Sequence, residues 1–591
     1  LMRSSAASDV YKRQGYKYVC ISAGNNKSND YYNNHVSLAD FRVLAADYDV
    51  VQEETYTKVS TLEQLDREIS AHSVEENFSN KEYLLRVLHR EFVNRIGYHN
   101  IQVIYRDNPE EARATLDWLL EDLDTLQLFL EAGDYYLGSG YSTLNALVDL
   151  YTAHGEDVNH SNSIYKKMML ATAAAHSRVI YSFAHYSNSG NLNYSDPVER
   201  YELFKNLYDT GRFVRQDEFE QYPMELIRAV VDTRMDNDEI NWLRDYIDRR
   251  YPDVNNGWRY GGYGYTWYNS NHNYNNSEFY AEGSYQKWNE KYLLSNYPEI
   301  EYGIASRFRI YMVIESGAIC WGISGLASAV NEVQGIASIG SYQPGHEPSL
   351  LYHYNNGKGT WSIETSVGGW SGAYSKWSEG FEYRLPLEWG SQSYVSKGAG
   401  SMNTSYILLA QDALNDYDNY VNSMLYNLIA KSYPQGSDNR EAALEASLDN
   451  YSKNLDALYG YYMSYSADST TTDAQWRDLA QRIADKLTYF PKPMVDLLNL
   501  IKGKVSSENT QAEIDIMRYD ALTKASVATP AQSLQNGACQ EIAKALLGKS
   551  TEFATFSFDG DNANTIVIDP LYDEYNMQFL SLIHISEPTR H

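Results

Sequence analysis

The sequence predicts an α+β chain that is mainly α. Helical periodicity runs from about Asn80 to Arg250 and returns after Ser405. Period-two alternation is confined to a middle stretch, Ile336–Ser366, and a short C-terminal one, Thr551–Ile568. Apolar residues make up 43% of the 591 residues and aromatic ones 14%, which excludes a disordered chain and leaves ample material for a packed core.

Both ends carry strings that resemble in-frame translations of the adapters used to prepare sequencing libraries: SSAASDVYKRQ at Ser4–Gln14 and LSLIHISEPTR at Leu580–Arg590. Residues 1–14 and 580–591 are therefore set aside as scars, and the expectation is a fragment lacking its natural start and stop. The formal charge is −29. Arg3, Lys12 and Arg13 stand against Asp9 in the leading scar and Arg590 against Glu587 in the trailing one, which leaves the remainder near −31. So acidic a surface repels phosphate backbones and excludes nucleic acid as a partner. The most apolar window, Ser316–Val330, is too short to span a membrane. An acidic chain with 54 tyrosines, rich in Asn, Ser and Asp, matches the balance of bacterial surface and secreted proteins, so an extracellular or cell-surface location is expected.

Residues 15–75 read as the mixed α/β tail of an upstream region. Asn25–Asn34 is loop-like, Asp40–Thr57 holds one or two strands, and Ser60-Thr61-Leu62-Glu63 is a capping box opening a helix through Ile69. Residues 76–250 form a helical domain. Glu111–Ala132 carries Ala112, Leu116, Leu119, Leu120, Leu123, Leu126 and Leu130 at helical spacing before Gly133. Ile164–Ile180 reads as a buried helix, and Met224–Met235 pairs with Glu239–Arg250. Residues 251–290 are a Tyr/Asn/Gly-rich loop, whose sharper alternative is an aromatic ligand-facing surface.

Residues 291–400 hold the chemistry. Ser316-Gly317 precedes Cys320, and Ile323, Ala327, Val330 and Val333 recur helically until Gly335. Cys320 thus stands at a helix start, where the dipole and unsatisfied N–H groups favour a thiolate. Ile336–Ser341 reads as a strand, and Gln343-Pro344-Gly345-His346 turns into a second strand, Ser349–Tyr354. Asn355–Gly359 is hairpin chemistry, and Thr360–Ser366 returns carrying Glu364. Cysteine, histidine and acid in that order suit a nucleophile, its base and the group that orients the imidazole.

This segment, about residues 300–375, resembles the transglutaminase-like superfamily. The matching residues are Gly317-Ala318-Ile319-Cys320, Gly335-Ile336-Ala337, Gln343-Pro344-Gly345-His346 and Gly359-Thr360-Trp361. The resemblance implies a papain-like α+β core between helical domains. It also implies thiol-mediated acyl transfer or hydrolysis on amide bonds of peptide, protein or cell-wall substrates. Cys320, His346 and Glu364 would be the catalytic residues, with Thr365 or Ser366 as alternatives for the third. No cofactor and no metal is implied. The alternative function is a non-catalytic bacterial surface protein that uses the same scaffold to bind peptide or glycan.

Other chemistry is weaker. Cys20 and Cys539 read as structural, and three scattered cysteines make no disulfide framework. His154-Gly155-Glu156-Asp157-Val158-Asn159-His160 gathers metal-capable side chains in what reads as a solvated loop. His89-Arg90-Glu91 is no HExxH, His176 reads as a core histidine, and His353 as surface. Residues 401–550 form a second helical domain in which Ala442–Tyr462 and Ala474–Phe490 faintly resemble tetratricopeptide repeats. Residues 551–579 open a β-region through a hairpin at Asp559-Gly560.

Overall fold

The computed structural model describes residues 55–133, 140–175, 196–233, 235, 237–253, 295, 314, 320–342, 349–355, 358–363, 380–381, 404–488, 490–528, 556–559 and 562–568. The described chain is mainly helical with a small share of strand. The first helices are α1 (Leu62–Ser70), α2 (Val74–Ser79), α3 (Lys81–Ile96), α4 (Tyr98–Asp107), α5 (Pro109–Glu121), α6 (Leu123–Glu131) and α7 (Gly140–His154). They continue with α8 (Ile164–Ala175), α9 (Pro197–Asp209), α10 (Gln216–Gln221), α11 (Met224–Val231) and α12 (Asn237–Arg250). Then come α13 (Cys320–Glu332) and strands β1 (Ser338–Tyr342), β2 (Ser349–Asn355), β3 (Lys358–Ile363) and β4 (Gly380–Phe381). The C-terminal helices are α14 (Thr404–Leu414), α15 (Tyr417–Lys431), α16 (Asp438–Asn450), α17 (Leu455–Ala467), α18 (Asp473–Lys486), α19 (Pro491–Lys502) and α20 (Glu508–Ala528), followed by β5 (Phe556–Asp559) and β6 (Asn562–Ile568).

Side chains that compete for backbone groups decide several boundaries. The first capping box sits one residue later than expected. Thr61 accepts from the Gln64 N–H, and Gln64 returns an acceptor to the Thr61 N–H at 3.0 Å. Glu111–Ala132 is two helices rather than one. Asp122 turns its carboxylate onto the Thr125 N–H at 2.7 Å and so caps α6, ending α5 behind it. Ala442–Tyr462 breaks the same way: the Asn454 side chain accepts from the N–H groups of Asp456 and Ala457 and starts α17. In both cases buried apolar residues continue beyond the break, at Leu126 and Leu130 in α6 and at Leu458 and Tyr461 in α17. The hairpin around Asp559-Gly560 is present as β5 and β6, antiparallel with an irregularity at Phe558/Asp559.

One hydrophobic cluster joins helices from before and after the sheet. Phe78 on α2 stacks on Tyr426 of α15, rings 4.0 Å apart and 8° from parallel. Buried Asn77 donates to the Ile69 carbonyl at 2.9 Å and to the Tyr433 hydroxyl at 3.0 Å, and Tyr433 donates to the His72 carbonyl at 2.7 Å. Packed against this cluster through Tyr352 is the four-stranded sheet, ordered β3-β2-β1-β4 and antiparallel at every described pairing. Leu326, Ala327 and Val330 of α13 and Val333 just beyond it are buried, and α13 packs on β1 and β2.

Candidate functional site

The turn from α13 into β1 sets the geometry. Gly335 takes φ +78°, and a Cβ there would stand 2.6 Å from the ring of Phe213, so glycine is required twice over. The turn is tied on both sides. Val214 donates its N–H to the Gln334 carbonyl at 3.1 Å, and the Ile336 N–H reaches back to the Asn331 carbonyl at 3.1 Å. Ser338, the first residue of β1, donates from its hydroxyl to that of Ser328 at 3.3 Å. The C-terminal end of α13 and the start of β1 therefore lie together. A helix packed along a strand and joined to it by so short a turn runs back antiparallel to it. At about 1.5 Å per helical and 3.3 Å per strand residue, α13 and β1 cover similar lengths, roughly 20 and 17 Å. Cys320, first residue of α13, consequently belongs to the end where β1 finishes at Tyr342.

The strand register brings two further chain ends to that place. Gly340 pairs with Ser349 and Leu350 with Ile363, so β1 ends, β2 begins and β3 ends at one edge of the sheet. His346 falls in the stretch between β1 and β2, and Glu364 directly follows β3. Both lie outside the described residues, as do Thr365, Ser366 and the side chain of Cys320. What is described is the backbone that leads to each: a helix beginning at 320, a strand beginning three residues after 346, and a strand ending one residue before 364. The expected strands are present with shifted ends, and Asn355 pairs with Lys358, leaving an Asn-Gly dipeptide between them as hairpin chemistry requires.

Aromatic packing fixes the sheet against the helices. Buried Tyr352 and half-buried Tyr354 on β2 both meet the Tyr222 ring edge-on, at 6.3 and 5.7 Å. Burial holds all three phenols protonated, their hydroxyls raised above the ordinary tyrosine value. His353 points the other way and is exposed, as its place on the strand implies.

No protein-family model matches this chain, and no curated protein or solved structure does. What the site can do rests on its residues.

The remaining candidates separate cleanly. The stretch after His154 forms a 3-10 turn, Gly155–Asn159, in which no residue is buried. Its Asp157 accepts from the Tyr201 hydroxyl at 2.9 Å and from Lys205 at 2.6 Å, while the His154 ring meets Glu202 at 2.9 Å. Among the described residues no group of three His, Cys, Asp or Glu side chains is placed to hold a metal ion. His89 is a buried core histidine whose Nε2 faces the Leu120 carbonyl at 2.7 Å. Cys20, Cys539, His176 and most of the Tyr-rich loop lie outside the described residues. A hollow of about 790 Å³ opens among the first helices beside Lys58, Glu68, His72, Arg86 and Glu121, and none of the catalytic candidates lines it. No described helix is long and apolar enough to cross a membrane.

Sequence reading missed the polar contacts that hold the sheet and the helical halves in place. Asn415 reaches Gly359, and Tyr417 reaches Glu131 and Glu225, which are 286 and 192 residues away. A lone Asn or Tyr at the start of a helix gives no local signal of a partner so distant.

Proposed function

We propose that this chain is a transglutaminase-like cysteine enzyme that transfers or hydrolyses acyl groups from amide bonds of peptide, protein or cell-wall substrates at a bacterial surface. The observation that carries the reading is that the start of α13 at Cys320, the end of β1 and start of β2 that flank His346 in sequence, and the end of β3 just before Glu364 share one end of the sheet. In this mechanism the Cys320 thiolate attacks the amide carbonyl and His346 returns the thiol proton to the leaving amine. Glu364 orients the imidazole. Backbone N–H groups of the first turn of α13 stabilise the oxyanion. The thioester then passes to water or to an amine.

Incubating the full chain with a glutamine-bearing protein and a fluorescent primary amine reads both outcomes. Label incorporation reports transfer, and ammonia released without label reports hydrolysis. Cys320→Ala should lose both; retention of either by that variant overturns the thiol mechanism.

A second reading, a non-catalytic scaffold that binds peptide or glycan, is favoured by how firmly the sheet is bound to the helices. Tyr352 is buried against Tyr222, and the edge strand is held by Asn415.

A further inference from the structure

Three helices meet at a single phenol. The Tyr417 hydroxyl, at the start of α15, lies 3.0 Å from Glu131 Oε2 at the end of α6 and 2.9 Å from Glu225 Oε2 at the start of α11. Both glutamates are buried, at 5% and 8% exposure. A phenol has one hydrogen to donate. Two carboxylates would leave one of these contacts as a bare oxygen–oxygen approach between a lone pair and an anion, which burial makes costly. A proton on either carboxyl satisfies both: Tyr417 donates to the ionised partner and accepts from the protonated one.

We propose that Glu131, Tyr417 and Glu225 form a buried proton-binding site that holds one proton beyond the phenol's own at neutral pH, and that this proton fastens α6 and α11 to α15.

The surroundings agree. Gln127 Nε2 donates to Glu131 Oε1 at 2.8 Å, so its other oxygen is already served. Burial raises the Glu131 carboxyl above the ordinary glutamate value, with Asp418 on α15 pushing the same way. Gln127, Tyr417 and the Lys167 ammonium on α8 oppose it. Three nearby cations have carbonyl partners among the described residues. Lys167 donates to the Tyr222 carbonyl at 3.2 Å, and Arg228 on α11 to the Ala132 carbonyl at 2.8 Å. Arg95 on α3 donates to the Leu130 carbonyl at 2.8 Å and is paired with Glu91. On α5, Asp117 and Glu121 turn away to Tyr56 and Lys58, and on β2 the Tyr352 phenol stands near Glu225.

The sign follows from proton counting. The folded state binds one proton that the unfolded glutamates release above about pH 4.3, so folding weakens as pH rises. The folding constant falls by up to about tenfold per pH unit until the folded site itself ionises.

Infrared difference spectroscopy on the full chain tests it directly. A protonated-carboxyl carbonyl band should be present at neutral pH, should fade at alkaline pH, and should be lost in Glu131→Gln or Glu225→Gln. The same variant should flatten the fall of folding stability with pH. No such band, or a band untouched by both variants, overturns the proposal. If both fail to fold, Tyr417→Phe, which keeps the ring, must still shift the band; an unshifted band overturns it equally.

Discussion

Asn415 gives both ends of its carboxamide to one residue of the edge strand. Its Oδ1 accepts the Gly359 N–H at 2.7 Å and its Nδ2 donates to the Gly359 carbonyl at 3.0 Å. A carboxamide has the donor and acceptor of a peptide group, so Asn415 completes one rung of the ladder on the side of β3 where no strand is found among the described residues. The contact also anchors α14, which ends at Leu414, to the hairpin that leads into Glu364.

Asn415→Ala therefore strands a buried N–H and carbonyl at Gly359 and should cost about 1–3 kcal/mol. Asn415→Asp keeps the acceptor but loses the donor, and should fall between the two. Denaturant midpoints at constant slope check the ranking; an unchanged midpoint for Asn415→Ala would show that the contact contributes nothing net.

Gly335→Ala meets two penalties at once, a positive φ and the Phe213 ring 2.6 Å from the new methyl. Strain alone is worth about 1–3 kcal/mol, and displacing a core ring adds to it. The thermal midpoint should fall, and it should recover in part when Phe213→Leu is added, because the smaller side chain relieves the clash and leaves the backbone strain. Absence of any recovery would place the whole cost on the backbone.

These two contacts mark how far the sequence could be read. Alternation in Ser349–Tyr354 and the Asn-Gly turn after it are local, and β2, β3 and their hairpin are legible from them. The helix start at Cys320 is likewise visible in the small residues before it and the apolar period after it. Asp122 and Asn454 were illegible as breaks because apolar residues continue beyond each, and only the side-chain cap reveals the interruption. The grip of Asn415 on Gly359 spans 56 residues and has no periodic signature. For the site, the order of cysteine, histidine and acid was legible, as was its helix-then-hairpin setting. That three chain ends meet at one edge follows only from register and from the tight turn at Gly335.

A pH effect belongs to His89. Its ring is buried, which lowers its pKa below the ordinary histidine value, with the Leu120 carbonyl opposing and the Arg86 charge adding to the fall. Arg86 stands 3.5 Å from Nδ1, which assigns the ring proton to Nε2, facing Leu120. The folded state resists protonation, so the unfolded chain binds more protons between the lowered folded value and about 6.5, and stability rises with pH across that window. His89→Gln keeps an N–H to place against the Leu120 carbonyl and does not titrate. Its stability should depend less on pH over the same window; an unaltered slope would assign the effect elsewhere.

Arg200 is fully buried and donates to Asn237 Oδ1 at 2.6 Å and to the carbonyls of Val231, Thr233 and Met235 at 2.9, 3.0 and 2.6 Å. One planar guanidinium thus gathers the connection between α11 and α12, which an ammonium cannot do with the same fork. Arg200→Lys keeps the charge but cannot reach all four acceptors, and should cost about 1–3 kcal/mol for a buried carbonyl left unpaired. Urea unfolding measures it; a loss under about 1 kcal/mol would mean that the carbonyls find other donors.

The central claim is that Cys320 is an activated thiol. Alkylating the folded full chain with iodoacetamide across pH, and mapping modified cysteines by mass spectrometry, tests it most directly. Cys320 should react ahead of Cys20 and Cys539, with an apparent pKa below the ordinary thiol value of about 8.5, and His346→Ala should abolish that preference. Equal reactivity of all three cysteines, or a Cys320 that stays unmodified in the folded chain, would contradict the account.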